Sequence, residues 1–264
     1  MRILVTGAEG LIGRAIVASA ASARPRDHLI AVGRSDGDVA DPRVREALLD
    51  RHKPDAVLFC AAFTAVDRAG HPDDIVRAEQ INVHAPGDWA RRVPLWWLSS
   101  NFVFSTPGPH APSAAVSPKG AYAHQKAQGE QAVIREGGNV CRVGWVYGPG
   151  GRTFGSTLVE RLRAGHTVAA VADVLVQPTW SLDVAQSLLT LPEGTSHHMA
   201  AETTSWYGFA LAVQAGLERT ERTQSTVAPV RLADLALPDP RPRDARLEPA
   251  TLPGWRSRLN ALVT

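Results

Sequence analysis

The stretch that most constrains this chain lies near its start: Gly7-Ala8-Glu9-Gly10-Leu11-Ile12-Gly13. It follows an apolar run, Ile3–Thr6, and opens a helix-length stretch, Leu11–Ala20. With the spacing G-x-x-G-x-x-G, a strand can end, turn tightly and feed a helix whose first N–H groups are bare. A pyrophosphate can then approach the backbone and rest on the helix N-terminus. The competing reading is an ordinary strand–helix turn. Placement inside a repeated βαβ pattern favours the cofactor loop.

That pattern runs along most of the chain. Strand candidates are Ile3–Thr6, Leu29–Val32, Ala56–Cys60, Leu95–Ser99, Asn139–Val143, Val168–Val171 and His198–Ala200. Helix candidates between them are Leu11–Ala20, Pro42–Arg51, Asp73–Arg92, Tyr122–Glu136, Phe154–Ala164 and Ser181–Leu191. Short buried strands alternating with amphipathic helices predict an α/β fold, a doubly wound parallel (Rossmann) sheet with ligand at the strands' carboxyl ends. The last third differs: a helix over Ser205–Arg219 precedes Pro- and Arg-rich coil from Ala228 to Pro253. We expect a dinucleotide-binding domain over 1–147, to which 167–200 returns. A smaller substrate-binding lobe is expected from 148–166 and 201–264.

Composition narrows the function classes. Hydrophobic residues make up 44% and charged residues 20%, which excludes disorder and coiled coil. Lys and Arg total 28 against 26 Asp and Glu, with no long basic run, so nucleic acid is not an expected partner. The two cysteines, Cys60 and Cys141, lie in apolar runs and read as inert core thiols of a reducing compartment. No metal site is expected, for want of ligand spacing. The first strand begins at once, and no apolar run approaches the ~18 residues of a membrane span. A cytoplasmic protein acting on a small molecule is the expectation.

Cofactor choice turns on the end of the second strand. An acid there would bond a ribose 2′-OH. Instead Gly33-Arg34-Ser35 supplies a cation and a hydroxyl, and Arg14 follows the third glycine. Arginines suit a 2′-phosphate, so NADPH is expected, with NADH possible. Solvated surface is the simpler reading of each arginine.

Tyr122 and Lys126 are four residues apart, on one face of the same predicted helix. A phenol with a pKa near 10 is a poor acid–base group at neutral pH, and a neighbouring ammonium would bring it toward useful range. The lysine could also bond the nicotinamide ribose. Ser99-Ser100-Asn101 ends the fourth strand, where a hydroxyl could meet a carbonyl.

These residues resemble the extended short-chain dehydrogenase/reductases, specifically the dTDP-4-dehydrorhamnose reductase family. Lys53–Val57 and Cys60–Ala69 resemble the family's "KPDVVINAAAYTAVDKAE", and Ile81-Asn82 its "VN". Ser99–Phe104 resembles "STDYVF", and Arg142–Gly148 resembles "RTSWVYG". Asp173–Thr179, Ser205–Ala210 and Arg241-Pro242 resemble "DQxGxPT", "SWYEFA" and a late "RP".

The resemblance implies that Ser100 polarises a C4 carbonyl, Tyr122 donates the proton and Lys126 tunes it, with Asn82 ordering the site. It implies that Gly7, Gly10, Leu11, Ile12, Gly13 and Arg14 cradle the cofactor, together with Arg34, Ser35, Asp38, Val39, Ala61, Ala62 and Phe63. Tyr122 and Lys126 would touch the cofactor too. Thr64, Val66, Asn101, Phe102 and Trp145 would lie near the sugar with Ser100, although core filling is the simpler reading of Phe63, Phe102 and Trp145. Lys119, Arg152, Arg163 and Arg241 are cations for a diphosphate or plain surface.

Four positions depart from the pattern: Asn101 for aspartate, Phe102 for tyrosine, Gly70 for glutamate and Ala123 for glycine. They leave the reductive machinery intact and open the substrate question. The implied activity is NADPH-dependent reduction of the C4 ketone of a dTDP-type 4-keto-6-deoxyhexose, by a monomer or homodimer. Two alternatives stay open: a ketoreductase of a non-sugar ketone, and a non-catalytic cofactor-binding subunit.

Overall fold

The computed structural model describes residues 1–151, 153–220 and 225–263; Arg152 lies outside them. In chain order the elements begin β1 (Arg2–Thr6), α1 (Leu11–Ala23), β2 (His28–Val32), α2 (Pro42–His52) and β3 (Ala56–Phe59). There follow α3 (Ile75–Glu79), α4 (Ala85–Ala90), β4 (Leu95–Ser100), α5 (Ala121–Arg135) and β5 (Asn139–Val143). Next come β6 (Val146–Tyr147), α6 (Phe154–Arg163), β7 (Thr167–Val171), β8 (Thr179–Trp180), α7 (Ser181–Leu188) and β9 (Thr195–His197). The chain closes with α8 (Trp206–Thr220), β10 (Thr226–Val230) and α9 (Leu259–Val263).

Six strands form one parallel sheet in the order β2-β1-β3-β4-β5-β9. Both faces are covered, which is why β3 reads as an unbroken apolar run, buried at all four positions. On one face Ile16 of α1 and Val184 and Leu188 of α7 pack against Ile3, Val5 and Leu58. On the other, Leu48, Trp89 and Val133 pack against Leu4, Val57 and Leu95. The strand order reverses between β1 and β3, and this reversal opens a crevice at their carboxyl ends.

A second core belongs to the carboxyl-terminal lobe. Tyr147, Leu158, Leu162, Trp180, Phe209, Val213 and Trp255 form it, and the Tyr147 hydroxyl donates to the Trp255 carbonyl at 3.0 Å. The coil after β10 ties the lobe to the sheet domain through single bridges, His110 with Leu247 and Ala200 with Leu252.

Three sequence expectations need correction. Residues 167–171 form a strand, but β7 pairs in parallel with β10 in the lobe, so that part of 167–200 does not rejoin the main sheet. A short apolar run satisfies either sheet equally, and periodicity cannot choose between them. The last strand of the main sheet is Thr195–His197, not His198–Ala200; Ala200 pairs with Leu252 instead. The helix expected over 73–92 is interrupted by a π-turn at Gln80–His84, which holds the buried Asn82.

Candidate active site

The glycine turn has the shape a dinucleotide needs. Gly7 sits at φ +62°, and a Cβ there would lie 2.7 Å from the Ala61 nitrogen. A Cβ on Gly13 would stand 2.2 Å from the Gly7 carbonyl oxygen. Gly10 begins α1 with no side-chain cap, so the first N–H groups of the helix are left for a ligand. Leu11 and Ile12 are half-buried in that turn, and Ala61, Ala62 and Phe63 continue β3 across the crevice from it. The lobe loop reaches the same place, since Gly151 stands against Leu11.

Beside the turn, a cavity of about 460 Å³ is lined by Glu9, Arg14, Gly33, Ser35 and Asp36, among others. Arg34 is exposed. Sequence reasoning passed over Glu9 and Asp36. The Asp36 carboxylate accepts from the Gly33 backbone at 2.9 Å, and Glu9 lies across Gly33. Arg14 donates to the Glu9 carbonyl at 2.7 Å. Asp38 pairs with Arg77 at 2.9 Å and accepts from the Ala40 backbone. Val39 is buried in the core, its carbonyl taken by Trp89 Nε1 at 2.8 Å.

The end of β4 and the start of α5 carry Ser100, Tyr122 and Lys126. β4 ends at Ser100, and Tyr122 occupies the first turn of α5 with Lys126 one turn on. Burial pushes the Tyr122 phenol up to about 12, and the Ser100 side chain pulls the other way. Lys126 is fully buried; its Nζ donates to the Leu98 carbonyl at 2.7 Å and stands 3.9 Å above the Trp97 ring. Burial pulls its pKa down to about 7, opposed mainly by the Glu130 charge. The expectation that Lys126 brings the phenol down is therefore corrected. Only Ser100 acts in that direction, and desolvation outweighs it. Tyr122 is held as a neutral phenol, the form that can give up a proton.

Asn82, which the resemblance places among the catalytic residues as the one ordering the site, is bonded to the backbone of Phe63. Its Oδ1 accepts from Phe63 N and its Nδ2 donates to Phe63 O, both at 3.0 Å, with Gln125 Oε1 at 3.3 Å. The π-turn aims this buried amide at the 61–63 segment, and Gln125 in turn donates to the Ala69 carbonyl. Asn82 so fixes the strand extension that forms one wall of the crevice.

Around Tyr122 the wall is apolar: Phe63, Val66, Phe102 and Ala121. The Phe102 ring meets the Tyr122 ring edge-on, with centroids 5.8 Å apart. Thr64 is exposed nearby. Asn101 donates to the Ala245 carbonyl at 3.0 Å, which ties β4 to the lobe. Trp145 is half-buried among Phe154, Phe209 and Trp206, on the lobe core.

A family model described as the RmlD substrate binding domain matches residues 1–257. The chain belongs to this family. A Streptomyces antibioticus protein named "Probable dTDP-4,6-dihydroxy-2-methyloxan-3-one 4-ketoreductase" is 34% identical, over 98% of this chain and 93% of its own. A dTDP-4-dehydrorhamnose reductase structure from Clostridium acetobutylicum has a TM-score of 0.90 at 25% identity, covering 100% of this chain and 98% of that one. A second structure of that name, from Bacillus anthracis in complex with NADP, has a TM-score of 0.88 at 22% identity, covering 99% and 98%.

Within this RmlD-type frame, the residues missed from sequence are those that hold the named ones. Trp97 forms the bed of Lys126. Glu130, one turn beyond Lys126, is locked by buried Arg142 at 2.9 and 2.7 Å. Its i,i+4 spacing from Lys126 was a usable signal. Arg241 donates to Asp67 at 2.8 Å and to the Asp239 carbonyl at 2.7 Å, and Arg163 donates to the Val263 carbonyl at 2.6 Å. Both are engaged within the protein rather than standing as open diphosphate contacts.

Proposed function

We propose that this chain is an NADPH-dependent reductase of the C4 ketone in a dTDP-type 4-keto-6-deoxyhexose. The observation that carries the reading is the buried Ser100–Tyr122–Lys126 group, set at the sheet crevice of a member of this family. The sugar class is taken from what the named relatives act on. The glycine turn fits a dinucleotide because added Cβ atoms at Gly7 and Gly13 would fill it.

Gly7, Gly10 and Gly13 would hold the pyrophosphate against the first turn of α1. Arg14, with exposed Arg34 and Ser35, would meet the 2′-phosphate, while Asp36 is turned onto the Gly33 backbone. Ala61, Ala62 and Phe63, fixed by Asn82, would line the nicotinamide half. Bound NADPH supplies the hydride. Ser100 and Tyr122 donate hydrogen bonds to the ketone oxygen, and the neutral phenol passes its proton to the alkoxide as negative charge develops there. Lys126, fixed over Trp97, would offer its Nζ to the nicotinamide ribose. Thr64, Val66, Asn101, Phe102 and Trp145 border the sugar side. The activity is assigned to the cytoplasm, in a monomer or homodimer.

A panel of ketones tests this reading. dTDP-4-keto-6-deoxyglucose should drive NADPH oxidation with kcat/KM at least tenfold above that of the same sugar without its diphosphate, and above that with NADH. Equal kcat/KM with and without the diphosphate would move the assignment to a non-sugar ketone. Tight NADPH binding with no turnover of any ketone would favour a regulatory subunit.

A further inference from the structure

α5 carries Tyr122 and Lys126, yet it begins without a cap of its own. Its N-cap residue, Gly120, has no side chain to bond the first turn and sits at φ +92°. The missing acceptor comes from 118 residues away. Asp239, in the coil of the lobe, accepts from the Ala121 backbone N–H through Oδ1 at 2.8 Å. A Cβ on Gly120 would lie 2.5 Å from that oxygen, so the glycine leaves the space the carboxylate fills. Asp239 is 7% exposed, and its second oxygen is buried with no hydrogen-bond partner. A buried carboxylate with a bare oxygen is costly in an apolar setting. It is tolerable where the positive end of a 15-residue helix faces it.

Asp239 is itself held in place. Its N–H donates to Asp67 Oδ1 at 3.4 Å, its carbonyl accepts from Arg241 at 2.7 Å, and Arg241 bridges to Asp67 Oδ2 at 2.8 Å. Asp67 lies in the short helical turn at Val66–Arg68, next to the apolar wall of the site. Three segments that frame Tyr122 thus meet in one clasp: the turn after β3, the start of α5 and the lobe.

We infer that Asp239 is a positioning residue for Tyr122, a cap supplied by the substrate-binding lobe that sets the phenol's place once the lobe is seated. The inference rests on the reductase reading above. It predicts a loss in kcat with little change in KM, because Asp239 acts on the helix turn and not on the ligand.

Steady-state kinetics of Asp239→Ala and Asp239→Asn test it, with active sites counted by NADPH titration so that only folded protein is compared. Asp239→Ala should lower kcat at least tenfold, with KM for the ketone and the NADPH Kd within about twofold. Asp239→Asn keeps an acceptor for Ala121 and should recover to within threefold of the parent. Unchanged kcat in Asp239→Ala, or a change confined to KM, overturns the inference alone. If the parent chain turns over no ketone, the reductase reading falls and this inference falls with it. Should Asp239→Ala not fold, Arg241→Leu, which loosens the clasp, is expected to lower kcat three- to tenfold at constant KM. An unchanged kcat in that variant overturns the inference.

Discussion

Tyr122→Phe lowers kcat by about 10²–10⁴-fold, the range a positioned general acid contributes, while NADPH binds as before. The substitution is unusually clean in this structure. The ring keeps its edge-on contact with Phe102 and its packing against Ala69 and Ala78, so only the phenolic oxygen is lost. A folding defect therefore cannot account for the loss. Single-turnover NADPH oxidation, read with a separate binding titration, checks the expectation. A rate within threefold of the parent would remove Tyr122 from the chemistry and leave the proton donor unassigned.

The second large effect concerns the cofactor. Gly13→Ala places a methyl 2.2 Å from the Gly7 carbonyl oxygen and 2.7 Å from the Ala8 Cα, both of them backbone atoms. Neither can swing aside as a flexible side chain would, so the turn must open. Overpacking of this kind costs about 1–3 kcal/mol in stability. Displacement of the pyrophosphate cradle should also weaken NADPH by at least 100-fold. Fluorescence titration of the nicotinamide and a thermal melt separate the two effects. An NADPH Kd within threefold of the parent would mean that the cofactor does not rest on this turn.

The legible parts of this fold were local. The glycine spacing, the apolar strands and the Tyr122–Lys126 interval are each short-range features of the chain. The supports around them were not legible, because they pair residues far apart in sequence. Nothing near Asp239 marks it as the cap of a helix that begins at Ala121, and nothing near Arg241 shows that Asp67 engages it. β7 looked like one more strand of the main sheet because its apolar run carries no label for the sheet it joins.

The electrostatics were misjudged for a different reason. Spacing on a helix face showed that Lys126 could lie near Tyr122. It did not show that both would be buried, and burial is what moves the phenol up and the ammonium down. Asn82 illustrates a third case. Its presence was readable, but its task, bonding both backbone groups of Phe63, depends on a π-turn that the helical pattern conceals.

In the proposed reaction, hydride passes from NADPH to C4 of a nucleotide-linked keto sugar held against Tyr122. The most direct measurement uses NADPH deuterated at the transferring position of nicotinamide C4, with dTDP-4-keto-6-deoxyglucose, and locates the label by NMR. One deuterium is expected at C4 of the sugar, in step with loss of absorbance at 340 nm. A product without deuterium at C4, or no product while NADPH binds tightly, would contradict it.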